Sequence, residues 1–193
     1  AVDSSGNVFI VVQSTSAGKA IPAAFYDSAI LKRDSSGAAS ASVVLGGDGS
    51  GTALALDTSN NVYVAERDVN VTYTTNSTGV RIAKFNSSLL SKSTVTLAVS
   101  TFGAVGNMLI SNGFLYVQNW GGAGQVGSTS KYTTGLVFVS SIAAAAVLNA
   151  PSGLTVDGNG NIYSKFSPFG AQTANETIYK YTPDLAAVTA RDV

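Results

Sequence analysis

The chain has 193 residues, with 11 Lys plus Arg balanced by 11 Asp plus Glu, and neither His nor Cys. Charged side chains are 11% of it, against roughly 25% in ordinary soluble domains, and their cancellation leaves no electrostatic footprint for nucleic acid or an anionic membrane. Without Cys there are no disulfides or thiolate chemistry, and without His the commonest general base and metal ligand are missing together.

The length suits one domain with a substantial core, or an array of small units. The longest apolar run, Ile142–Leu148, is too short to cross a bilayer, so no membrane insertion is expected. No signal peptide is visible and residue 1 is Ala, which reads as a processed form or a segment of something longer. The polar surface must come from Ser, Thr, Asn and Gly, a composition associated with secreted and cell-surface proteins.

Taken in order, the chain repeats one device. Ala1-Val2-Asp3-Ser4-Ser5-Gly6-Asn7-Val8-Phe9 is an apolar strand end, a polar turn and a second strand with an aromatic residue. Leu54 to Glu66 repeats it around Asp57 and Tyr63, Met108 to Val117 more loosely around Asn112-Gly113 and Tyr116, and Pro151 to Ser164 around Asp157 and Tyr163. The aromatic anchors recur about 50 residues apart, the period of an array of four-stranded units. Asp3, Asp57 and Asp157 suit Asx-turns, in which the carboxylate accepts N–H groups further along the turn. Gly6, Asn60 and Gly160 suit the positive φ that closes such hairpins. A calcium loop is the alternative reading of the acidic turns, but the alternating ligands and terminal Glu of such a loop are missing.

Third strands are expected at Ala29–Lys32, Arg81–Phe85, Gly135–Val139 and Thr177–Tyr181. Fourth strands are expected at Ala41–Leu45, Thr94–Val99, Ala144–Leu148 and Ala186–Thr189, although the Ala run at 143–146 also suits a turn of helix. The fold class is therefore all-β: a single domain, 1–193, of about four four-stranded β-propeller blades near 1–48, 49–102, 103–150 and 151–193. Small twisted sheets of this kind gain an interior by packing against one another.

Pro151 to Ser164, together with Arg81-Ile82-Ala83-Lys84-Phe85, resembles the NHL-repeat type of β-propeller blade. That pattern encodes turns and packing, so it speaks to fold and little to function. The first unit departs from it, having only Ala1-Val2 before its Asp. Its innermost strand is thus truncated, and either the tail Val188–Val193 pairs there to close a four-bladed ring, or the units belong to a larger propeller.

Ligand contacts are expected in the loops after the second strands, read as Gln13–Ala24, Arg67–Gly79, Asn119–Thr134 and Ser167–Asn175. Asn119 and Trp120, in a Gly-rich loop, suit stacking on a sugar or anchoring a partner, or alternatively plugging between blades. Glu66-Arg67-Asp68 is the densest charge cluster: an acid or base beside a guanidinium, or a solvated loop with a local ion pair. Lys165 lies one place before the position matching Glu66. Sequons at Asn70, Asn76, Asn86 and Asn175 are candidate glycan acceptors.

The expected function is a non-enzymatic extracellular or cell-surface module with a protein or glycan partner, self-assembly included, and without metal or cofactor. The alternative implied by the propeller resemblance is a lyase or lactone hydrolase with a carboxylate-held metal. Nucleic acid is not an expected partner.

Overall fold

The computed structural model describes residues 1–13, 28–45, 49–68, 80–97, 104–120, 126–147, 149–168 and 177–192. These residues form strands and turns only, in four antiparallel sheets. The first sheet orders β1 (Val8–Gln13), β2 (Ser28–Arg33) and β3 (Ala39–Val44). The second orders β4 (Gly49–Leu56), β5 (Val62–Asp68), β6 (Val80–Phe85) and β7 (Lys92–Thr96). The third runs β8 (Ala104–Ser111), β9 (Phe114–Trp120), β10 (Val126–Thr133), β11 (Phe138–Val147). The fourth runs β12 (Asn149–Val156), β13 (Ile162–Pro168), β14 (Thr177–Tyr181), β15 (Ala187–Asp192). Consecutive strands pair throughout, the meander expected of propeller blades.

One turn closes seven of the hairpins. At Asp57 the carboxylate accepts N–H bonds from Ser59 and Asn61 at 2.9 Å, while Asn61 Nδ2 donates to the other oxygen. The Asn60 N–H bonds the Asp57 carbonyl, and Asn60 takes φ of 62°. Asp3 and Asp157 repeat this between first and second strands, with Gly6 and Gly160 at positive φ. Asp34, Asn86, Thr133 and Thr182 build the same backbone turn between third and fourth strands. There the left-handed residue is Gly37, Leu89, Leu136 or Leu185. The turn at Asn112-Gly113 is the two-residue type its sequence implies, with φ of 51° and 76°.

The structure divides into two compact units, Ala1–Thr101 and Phe102–Val193, each holding two sheets. In the first unit, alternation along each strand sends Phe9, Ile30, Val62, Val64 and Phe85 into one buried cluster that Leu89 completes. In the second unit the cluster is Tyr116, Ile162, Phe166, Tyr181 and Leu185. Each cluster draws on both sheets of its unit, so neither sheet encloses a core alone. A fully buried side chain of this size contributes about 2–3 kcal/mol.

Several expectations are corrected. The third strand of the third sheet is Val126–Thr133, and Thr134–Val137 is the turn after it, so Gly135–Val139 is not that strand. Much of the expected loop Asn119–Thr134 is accordingly strand. The second sheet's outer strand is Lys92–Thr96 rather than Thr94–Val99. The Ala run at 143–146 is strand, not helix, and Val147 beyond it lies opposite Val126. The tail forms β15, which pairs with β14 as the outer strand of the fourth sheet. At the first sheet's inner edge, Val2 alone bridges Val8, and Ala1 and Phe9 exchange backbone bonds.

Candidate functional site

The sequence-predicted residues converge on one structural position, the end of the second strand. Glu66 on β5 and Asn119 on β9 lie opposite Gly51 and Val105, immediately before a bulge in the inner strand. Phe166 on β13 is their counterpart, opposite Pro151. Lys165 is one place earlier and faces Gly153. Arg67 and Trp120 are the next strand residues after Glu66 and Asn119, and their side chains lie outside the described residues. Asn70, Asn76 and Asn175 lie outside them altogether.

Glu66 is not part of a solvated loop. It is 0% exposed; Arg81 Nε donates to its Oε2, and Lys92 Nζ donates to Oε1 at 2.9 Å. Both partners come from the neighbouring strands β6 and β7, where Arg81 sits directly across from Glu66. Their side chains remain 37% and 34% exposed. The carboxylate is thus neutralised and occupied on both oxygens, while the cationic heads keep contact with water. Burying a carboxylate is tolerable only with partners of this kind.

Asn119 is also buried, and its Oδ1 has no hydrogen-bond partner. Its neighbour Gln118, on the other face, is fully engaged. Gln118 accepts from Asn107 Nδ2 at 2.8 Å and donates to Ser164 Oγ and the Lys165 carbonyl. Thr129 meets the same Ser164 hydroxyl at 3.0 Å. A polar network therefore links the third and fourth sheets, with Gln118 and Thr129 of the third meeting Ser164 and the Lys165 carbonyl of the fourth. Lys131, two residues beyond Thr129 on β10, makes a separate link to the fourth sheet, with its amine on Asp184 at 2.8 Å and 3.9 Å from the Phe114 ring centre. Burial, then the Asp184 charge, push the Tyr116 hydroxyl above its usual range, and that hydroxyl donates to the Pro183 carbonyl.

Lysines on third strands lie over second-strand aromatics in all four sheets: besides Lys131 over Phe114, Lys32 lies over Phe9, Lys84 over Tyr63 and Lys180 over Tyr163, these three 5.3 to 5.5 Å from the ring centre. The turn carboxylates are held below the usual range. For Asp3, Asp34 and Asp157 the main cause is a side-chain hydrogen bond, from Asn7, Ser36 and Asn161 respectively. For Asp57, burial pushes up, but bonds from Asn61, Tyr63 and Ser59 outweigh it. Asn86 is half-buried, its Oδ1 accepting the Ser88 and Leu90 N–H groups.

Sequence reasoning missed Gln118, Ser164, Thr129, Arg81 and Lys92. The only advance signal was that small and polar residues interrupt the apolar alternation of these strands. Among the described residues, no three His, Cys, Asp or Glu side chains group to hold a metal.

No family model and no curated protein matches the chain. Solved structures do. A nidogen/laminin complex structure aligns over 97% of this chain and 61% of its own, with 13% identity and a TM-score of 0.56. A quinoprotein alcohol dehydrogenase-like protein from Bacteroides thetaiotaomicron aligns over 94% and 43%, with 15% identity and a TM-score of 0.58. A luciferin-regenerating enzyme aligns over 94% and 62%, at 14% and 0.52. The chain thus spans less than two thirds of each. At such identities the likeness establishes the fold class, an all-β propeller of four-stranded blades with an incomplete first sheet.

Proposed function

We propose that the chain is a non-enzymatic β-propeller module of NHL-repeat type, acting outside the cell in binding or as a structural subunit of a larger assembly, and carrying glycan. The observation that carries this reading is the employment of five carboxylates among the described residues. Asp3, Asp34, Asp57 and Asp157 each accept turn N–H groups on one oxygen, and Glu66 is paired with two cations. A carboxylate so engaged is a poor metal ligand or general base without breaking the turn or pair that it stabilises. The Asx-turn hairpins and the Lys-over-aromatic pairs support the NHL-type assignment. At the sequon Asn86, Oδ1 serves the turn and Nδ2, the atom that would carry glycan, makes no bond within it.

The test uses chain secreted from eukaryotic cells. Intact mass should fall on enzymatic deglycosylation, and elemental analysis should find no stoichiometric divalent metal. An unshifted mass removes the glycan. Metal bound at one equivalent and lost in Glu66→Gln overturns the reading in favour of a metal-dependent lyase or hydrolase.

A further inference from the structure

The β10–β11 hairpin is dressed unlike its counterparts. All four third-to-fourth-strand turns share one backbone geometry, so the residues leaving them are equivalent. They are Ala38, Ala39 and Ser40 in the first sheet, Leu90, Ser91 and Lys92 in the second, and Ala186, Ala187 and Val188 in the fourth. In the third they are Val137, Phe138 and Val139, exposed by 63%, 56% and 45%. The first sheet makes the same turn with Ala and Ser, and the second places a single bulky apolar residue there, Leu90, so the turn does not require three in succession. Successive strand residues point to opposite faces, so apolar surface is exposed on both sides of the strand. Within the sheet, the Phe138 ring meets Tyr132 edge-on at 5.6 Å.

The strand that follows is equally unusual. β11 has ten residues and is the outer strand of its sheet, paired among the described residues with β10 alone. No Lys, Arg, Asp or Glu occurs between Lys131 and Asp157. Outer strands are ordinarily protected from pairing by charge. β7 carries Lys92 and β15 carries Arg191 and Asp192, whereas β3 is uncharged but short, its exposed residues mostly Ala and Ser.

We propose that β11 is a self-association edge, through which two copies of this chain pair antiparallel about a two-fold axis. This deepens the module reading, on which it rests, by assigning the partner. A second copy fits because an uncharged strand meets its own sequence with no like-charge repulsion, whereas a charged partner would be desolvated without compensation. With Ser140 on the axis, Phe138 lies opposite the partner's Ile142, and the symmetry repeats this aromatic–β-branched pair. A single edge-to-edge contact is smaller than a standard interface, so the dissociation constant is on the order of 10–100 µM.

Sedimentation velocity of the purified intact chain, from about 1 µM to about 500 µM, bracketing that range, tests it. The mass should rise towards the dimer and stop there. Val139→Lys should weaken association at least tenfold with an unchanged circular dichroism spectrum. Leu90→Lys, at a still more exposed apolar residue on another sheet, should leave association unchanged. If Val139→Lys disturbs folding, Ser141→Lys, also exposed, replaces it. A chain monomeric throughout, growth past the dimer, or equal weakening by both lysine variants overturns the proposal. Those outcomes leave the glycan and metal measurements to decide the module reading.

Discussion

Leu89 sets backbone strain directly against burial. Its φ is 59°, a left-handed conformation costing a residue with a Cβ roughly 1–2 kcal/mol. Its side chain is 4% exposed, within the core that the first two sheets share. Truncating a buried leucine to Ala costs about 2–5 kcal/mol, and the strain would remain. Leu89→Gly loses slightly more packing but recovers the strain, so it should cost about 1–3 kcal/mol. The expected order is wild type, then Gly, then Ala, the reverse of the usual preference for Ala over Gly. Urea unfolding followed by circular dichroism, compared at constant slope, reads that order directly. A Gly variant as stable as wild type would mean that burial contributes no more than the strain costs; an Ala variant above Gly would mean that there is no strain.

Other turn and core substitutions separate the same terms. Gly37→Ala meets no atom within 4 Å and should lose only the conformational cost at φ 87°, about 1 kcal/mol. Gly160→Ala adds a 2.7 Å approach to Asn112 Nδ2 and should cost measurably more in the same urea titration. Glu66→Gln removes the anion from two half-exposed cations, and after allowance for their hydration should lower stability by about 1–3 kcal/mol. A double-mutant cycle with Arg81→Met checks whether the pair is the cause. Acid should destabilise through the turns. The folded carboxylates of Asp3, Asp34, Asp57 and Asp157 are held below the ordinary aspartate range. Their contribution is therefore complete above the unfolded value and lost as pH falls through the folded ones. Thermal midpoints should be flat above about pH 5 and fall below about pH 4.

The turns were legible because their chemistry is local. Asp57 needs only its next four residues, and the aromatic anchor two places beyond the turn follows from strand alternation. β10 was not legible. Its sequence, VGSTSKYT, has no apolar period because its inward groups, Thr129 and Lys131, are satisfied by Ser164 and Asp184 from another sheet. No single-strand pattern encodes a partner so far along the chain. The more apolar Gly135–Val139 drew the assignment instead, although Leu136 takes φ of 65° in the turn. Glu66 misled for the same reason: Arg81 and Lys92 reach it from the neighbouring strands. The need to cover an edge made the tail a candidate partner for the first sheet, whereas it forms β15, paired with β14.

Residue-resolved hydrogen exchange on the intact chain tests most directly whether sheets borrow their interiors pairwise. Amides of β1, β2, β5 and β6 should exchange through one common opening, with a single free energy, and those of β9, β10, β13 and β14 through another. Four separate opening energies, one for each sheet, would show that each sheet stands alone and would contradict the account.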